Sequence, residues 1–222
     1  VAWQVHHWLF EPGFKGSFGS RKVELVDRIG DPDSIFEKAR MILRRLPAWM
    51  MPEGFKWSDC DNHLRLINPA NGASITGEGG DNMGRGGRSS IYDIDEAAFI
   101  ERAQKVEAAV SSNSDCVIET STPNGMANPF AIRRHNGRTP VFTLHWRDDP
   151  RKGDAWYQRQ VDDLDPVTIA QEIDIDYTAS QEGILIPRAW VERSRAQEAY
   201  QAERGAHTIG GDIAEFGSDN SS

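Results

Sequence analysis

Cysteine is scarce in this sequence: 222 residues hold two, Cys60 and Cys116, far apart and in no C-x-x-C pair. That argues against a disulfide framework and a zinc ribbon, and it suits a reducing cytosol. Long apolar runs are missing as well. No stretch approaches the ~18 residues that a membrane span needs. The opening VAWQVHHWLFEPG has neither an initiator Met nor the basic start of a secretory leader. Positive charge is in deficit, 25 Lys and Arg against 34 Asp and Glu, for a net charge of −9. This argues against a surface that coats nucleic acid generally, but it leaves room for a local basic track. Metal-ligand spacing is absent among the six histidines, and the adjacent His6 and His7 cannot share one side of a helix.

What is present describes an ordinary, somewhat polar soluble chain, 38% hydrophobic and 27% charged. Its length suits one large or two small domains at ~100–200 residues each. Basic residues gather in KARMILRR, GRGGR, AIRRHNGR and RDDPRK, each a solvated face or a contact to phosphates. The segment GDPDSIFEKARMILRRLPAW predicts a helix capped by Asp31 or Asp33, with Ile35, Phe36, Ala39, Ile42, Leu43 and Leu46 facing the core. Its Arg and Lys residues are expected in solvent, and Pro47 stops it. Two short strands near LRLIN and ASITG, joined by PANG, predict a hairpin. GEGGDNMGRGGR then packs six glycines into a dozen residues. Such a loop is either flexible or lets backbone approach something closely.

Downstream, SIYDID predicts a strand, EAAFIERAQKVEAAVSS a helix, DCVIETSTPNG a buried strand entering a turn, and VFTLHW a further strand. That alternation predicts a parallel α/β sheet covered by helices. Working residues collect in the loops at the carboxyl ends of such strands, and both Asp95-Glu96 and Ser121-Thr122-Pro123-Asn124-Gly125 fall there. Helices follow at GDAWYQRQVDDL and DPVTIAQEIDIDY, then a short strand in QEGILIP and a charged helix ending at Gly205. A late TIGGD strand suggests a second domain beginning.

Adjacent carboxylates at a strand end have a use in ATPases. The Asp holds Mg²⁺ through water, and the Glu polarises the water that attacks the γ-phosphate. An isolated Asp-Glu is also a common surface pair, and Asp93 interrupts the apolar strand that usually precedes such a pair. Hydroxyls at the end of the next strand would sense the γ-phosphate or the water, unless they only cap a tight turn.

Taken in order, GRGGRSSIYDIDEAAFI, ETSTPNG, HWRDDP, EGILIP and GGDIAEFGSD resemble the large terminase subunits that package DNA in tailed bacteriophages. The resemblance runs roughly from FGSRKVELVD to the last residue. It implies a P-loop-type (ASCE) ATPase sheet over residues 1–182, a linker strand and helix over 183–206, and the first strand of an RNase H-like nuclease domain over 207–222. It implies that Asp95 holds Mg²⁺, that Glu96 is the catalytic glutamate, and that Ser121 and Thr122 contact nucleotide and couple hydrolysis to movement. Arg85, ten positions before Asp95, would enter a neighbouring subunit's ATP site, with Arg88 as its rival. Asp212 would be the first acid of the two-metal nuclease, with Mg²⁺ or Mn²⁺, and Asp219 a second. The implied partners are double-stranded DNA, a small terminase subunit, the capsid portal protein and a homo-oligomeric ring, with no membrane, in the cytoplasm of the bacterial host.

The sequence departs from that family in one respect. No G-x-x-x-x-G-K-[ST] occurs, and the Gly/Lys-rich EPGFKGSFGSRK has the wrong spacing and lies after the place where the phosphate loop belongs. The expectation is an ATPase sheet lacking its first strand and phosphate loop, inactive by itself. Two alternatives stand beside it: a prophage remnant or binding module on an ATPase-like scaffold, and a helicase-type ATPase.

Overall fold

In the computed structural model, residues 1–179 are described. Helix α1 (Ala2–Phe10) returns through a turn into strand β1 (Lys15–Ser20). Helices α2 (Val23–Val26), α3 (Ile35–Arg44) and α4 (Trp57–Cys60) precede strands β2 (Asp61–Asn62), β3 (Arg65–Ile67) and β4 (Ser74–Gly79). Then come β5 (Ser89–Asp95), α5 (Ala103–Asn113), β6 (Ser114–Thr120), α6 (Pro129–His135), α7 (Asp154–Asp163) and α8 (Pro166–Glu172). The six strands of the described residues form one sheet in the order β2-β3-β4-β1-β5-β6. The run β4-β1-β5-β6 is parallel, and β2-β3-β4 is an antiparallel arm. The expected α/β sheet and the PANG hairpin are both present.

Strand alternation divides the core between the two faces. Ile91 joins Val5, Trp8, Phe18, Phe36 and Leu43 beneath α1 and α3. Tyr92 and Ile94 face the other way, against Met83, Val106 and Val110 beneath α5. A third, smaller cluster of Trp146, Ile169 and Ile173 holds α7 and α8 together with Trp156 and Tyr157.

Several expectations are corrected. Ser34, not Asp31 or Asp33, occupies the N-cap position of α3. The basic residues of α3 are not all in solvent. Arg40 is 2% exposed, where Asp27, Glu37 and Asp61 surround its guanidinium with carboxylates. Among the described residues β6 is the edge of the sheet rather than a buried strand, with Val117 39% and Ile118 38% exposed. VFTLHW forms no strand among the described residues, and it leaves Val141, Phe142 and Leu144 exposed. Finally, Glu96 does not lead directly into a helix, because a 3₁₀ turn over Ala97–Phe99 intervenes before α5. The anticipated linker over 183–206 and nuclease opening over 207–222 lie outside the described residues.

Candidate active site

Because β1, β5 and β6 are parallel, their last residues meet at one edge of the sheet. Asp95 ends β5 and Thr120 ends β6 in matching register, which places the Asp95-Glu96 pair beside the Ser121–Gly125 turn. α1 runs opposite to β1, so its first turn also lies at this edge.

Asp95 and Glu96 differ in backbone as well as position. Asp95 is extended and half-buried, and its Oδ1 accepts the Glu96 N–H at 3.1 Å. Glu96 has φ 54 and ψ 40, the left-handed region, which costs a non-glycine residue about 1–2 kcal/mol. That turn swings its carboxylate off the strand direction towards Arg21, one residue beyond β1. Arg21 Nε donates to Glu96 Oε2 at 2.5 Å, and its guanidinium lies 6.0 Å from the Phe99 ring centre. Arg21 is a site residue that sequence reasoning missed. Its signal was there, in a Ser-Arg-Lys run following a Gly/Ser segment, but that segment does not look like a strand.

Burial pushes the Asp95 carboxyl above its ordinary range. The Glu96 N–H opposes this and the Glu96 charge adds to it, while Lys38 pulls back only in part. A cation beside it would relieve that penalty, which fits a lone carboxylate ligand of the kind Mg²⁺ takes alongside water and phosphate oxygens. Among the described residues, no three His, Cys, Asp or Glu side chains converge as a complete metal-ligand set.

The turn after β6 is tied to the turn after Glu96. Ser121 Oγ accepts the Ala98 N–H at 3.2 Å, and Asn124 Nδ2 donates to the Ala98 carbonyl at 3.1 Å. Thr122 Oγ1 donates to Glu172 Oε1 of α8 at 3.3 Å. The residues Ala98, Ser121, Thr122 and Glu172 thus join the turn after Glu96 to the end of α8. One open cavity of about 1560 Å³ takes in Asp95, Glu96, Arg21, Ser121 and Thr122, and extends along β6 past Val117 and Ile118. The apolar Val141, Phe142 and Leu144 line it too.

Arg85 does not line this cavity. It sits in the loop between β4 and β5, where Gly84 packs against the last turn of α5. Arg85 and Arg88 are exposed, and their guanidinium groups have no partner among the described residues. Most of the other basic clusters are engaged internally. Arg133 is held by Glu107 and Glu119, Arg151 by Asp149, and Arg134, Arg147 and Lys152 lie over aromatic rings. Asp212 and Asp219 lie outside the described residues.

No protein-family model matches the sequence, and no curated protein matches it. Solved structures do. The ATPase domain of the Thermus phage P74-26 large terminase superposes with a TM-score of 0.54 at 17% identity, over 78% of this chain and 80% of that one. The large terminase of a second thermophilic bacteriophage, solved in complex with ADP, superposes with a TM-score of 0.55 at 12% identity. That match covers 80% of this chain and 45% of the other. The fold is that of a large terminase ATPase domain. In this terminase ATPase fold, β5, whose carboxyl end carries Asp95 and Glu96, has β1 on one side and β6 on the other. On its other side, β6 has no neighbouring strand among the described residues.

Proposed function

We propose that this chain belongs to a phage DNA-packaging motor, in which ATP hydrolysis at the Asp95-Glu96 edge drives double-stranded DNA into a procapsid. The observation that carries the proposal is the convergence of Asp95, Glu96, Ser121 and the first turn of α1 at one carboxyl edge of a terminase-like sheet. Mg²⁺ bound near Asp95 would neutralise charge on the phosphates. Glu96 orients the attacking water once its carboxylate leaves Arg21, so the 2.5 Å pair describes a resting arrangement. Ser121, through Ala98, and Thr122, through Glu172, pass the change outward.

The open side of β6 is where a further strand carrying the phosphate loop would add. That strand would cover the exposed Val117 and Ile118 and deliver its loop to the head of α1, whose free N–H groups suit a phosphate. Arg85, exposed and unpaired, is offered to the site of a neighbouring copy in a ring. Residues 183–206 would link this unit to an RNase H-like nuclease that opens at 207–222. There Asp212 and Asp219 would bind Mg²⁺ or Mn²⁺ and cut concatemeric DNA. The small terminase subunit and the portal protein complete the assembly in the host cytoplasm.

The test is to read the coding sequence upstream of Val1 and express the longer protein. An in-frame phosphate loop, with ATP turnover that Glu96→Ala lowers at least about 100-fold while nucleotide binding survives, is the expected result. Turnover indifferent to Glu96→Ala would remove the catalytic assignment. Clear turnover by the 222-residue chain alone, abolished by Glu96→Ala, would show that no further strand is needed.

A further inference from the structure

The glycine-rich loop between β4 and β5 is fixed in place, and one carboxylate does most of the fixing. Glu78, next to last in β4, is half-buried and turned into the loop. Its Oε2 accepts the Gly84 N–H at 2.5 Å and the Tyr92 hydroxyl at 2.6 Å, and its Oε1 accepts the Gly86 N–H at 2.6 Å. Asn113, at the end of α5, donates to the Gly84 carbonyl at 2.7 Å. Met83 anchors the loop from below, fully buried against Tyr92, Val106 and Val110.

The glycines are needed for this packing. Gly84 has φ +79, and a Cβ there would fall 2.6 Å from the Val110 backbone nitrogen. A Cβ on Gly86 would collide with Glu78 Oε1. Between these two pinned residues stands Arg85, exposed, with its own N–H bonded to the Asn82 carbonyl at 3.3 Å and its guanidinium free among the described residues. A long cationic side chain is being shown to solvent from a backbone with little freedom. Fixing the backbone in advance removes part of the ordering cost when such a group meets an anion.

We propose that Glu78 is the positioning residue for Arg85: by holding Gly84 and Gly86 on either side, it fixes the stretch of backbone from which the exposed guanidinium is offered to a phosphate bound on another copy of the chain. The clamp stands on the geometry alone. Only the identity of the target, the phosphate of a neighbouring ATP site, rests on the proposed function. Tyr92 shares the arrangement, because its hydroxyl is kept protonated by burial and by the adjacent Glu78 and so remains a donor to that carboxylate.

The experiment begins with this chain. Glu78→Gln preserves size but leaves one oxygen for donors that now share two. Amide hydrogen exchange at Gly84 and Gly86 is expected to quicken on the order of tenfold, and tryptic cleavage after Arg85 with it, while Ile91 to Ile94 stay protected. Unchanged exchange at both glycines would overturn the clamp. Should Glu78→Gln loosen the whole sheet, Tyr92→Phe removes only one of the three hydrogen bonds and must quicken loop exchange by itself. Loosening of the sheet by this variant too would make Glu78 a core staple and end the proposal. In the longer, active protein, Glu78→Gln subunits mixed with Glu96→Ala subunits should recover turnover that neither has alone, because the second kind offers a well-placed Arg85 to the intact sites of the first. If Arg85→Ala leaves turnover unchanged while Glu78 still orders the loop, the catalytic target falls and the clamp remains.

Discussion

Asp93 shows how much one side chain can reveal about a strand. It sits two residues before Asp95 on the α1 face, where Gln4 Nε2 donates to its Oδ2 at 2.9 Å. Asp93 Oδ1 and Gln4 Oε1 are both buried without a partner. Burial raises the Asp93 carboxyl, the Gln4 contact lowers it, and the Asp95 charge raises it again, with a net upward result. Below the unfolded-state value both states are protonated, so the site costs nothing. As pH rises through the unfolded and then the folded value, the folded state resists ionisation and stability is lost. Asp93→Asn should therefore stabilise the chain at pH 7, by on the order of 1 kcal/mol, because the amide carries no charge to bury. The gain should vanish below about pH 3.9, the ordinary carboxylate value. Denaturant titrations at both pH values would check it, and a gain that persists in acid would refute the linkage.

At the scale of elements, the contact between α3 and the β2-β3 arm depends on one buried cation. Arg40 Nη1 and Nη2 donate to Asp27 at 2.7 and 3.1 Å, and Nε donates to Asp61 at 2.9 Å. Asp27 also accepts the Leu64 N–H at 2.6 Å, fixing the turn into β3. Removing the cation leaves carboxylates buried without compensation, so Arg40→Ala should cost about 3–5 kcal/mol in equilibrium unfolding. Lys cannot reproduce the planar fork and should restore only part of the loss. A cost under about 1 kcal/mol would show that the acids find other partners or take up protons.

For the molecule as a whole, the consequential feature is the side of β6 that no strand covers among the described residues. Unpaired on one side among the described residues, with Val117 and Ile118 exposed, the strand presents backbone and apolar surface, a template for another chain. The 222-residue protein should self-associate at high concentration. Lysine at both positions should suppress this without unfolding the sheet, because β6 keeps its pairing with β5. Sedimentation velocity would decide, and association unaffected by the double substitution would place the contact elsewhere. In the longer protein the same pair of lysines should instead abolish turnover, if a strand from upstream belongs there.

By itself, the sequence determined α3, the PANG hairpin, the β5-α5-β6 alternation and the place of Asp95, Glu96, Ser121 and Thr122 at a carboxyl edge. These are local matters of periodicity, turn chemistry and strand-helix order. It could not yield β1, whose KGSFGS has one bulky side chain. That strand is central because Gly19 leaves room for Met83 and Tyr92, neighbours supplied from elsewhere in the chain. Nor could it yield Arg21 beside Glu96, 75 residues apart, or the burial of Arg40 among acids. DCVIET and VFTLHW look like strands through their β-branched and aromatic residues. Whether such a segment is buried, edge or unpaired is set by its neighbours across the sheet, and only the tertiary structure decides those.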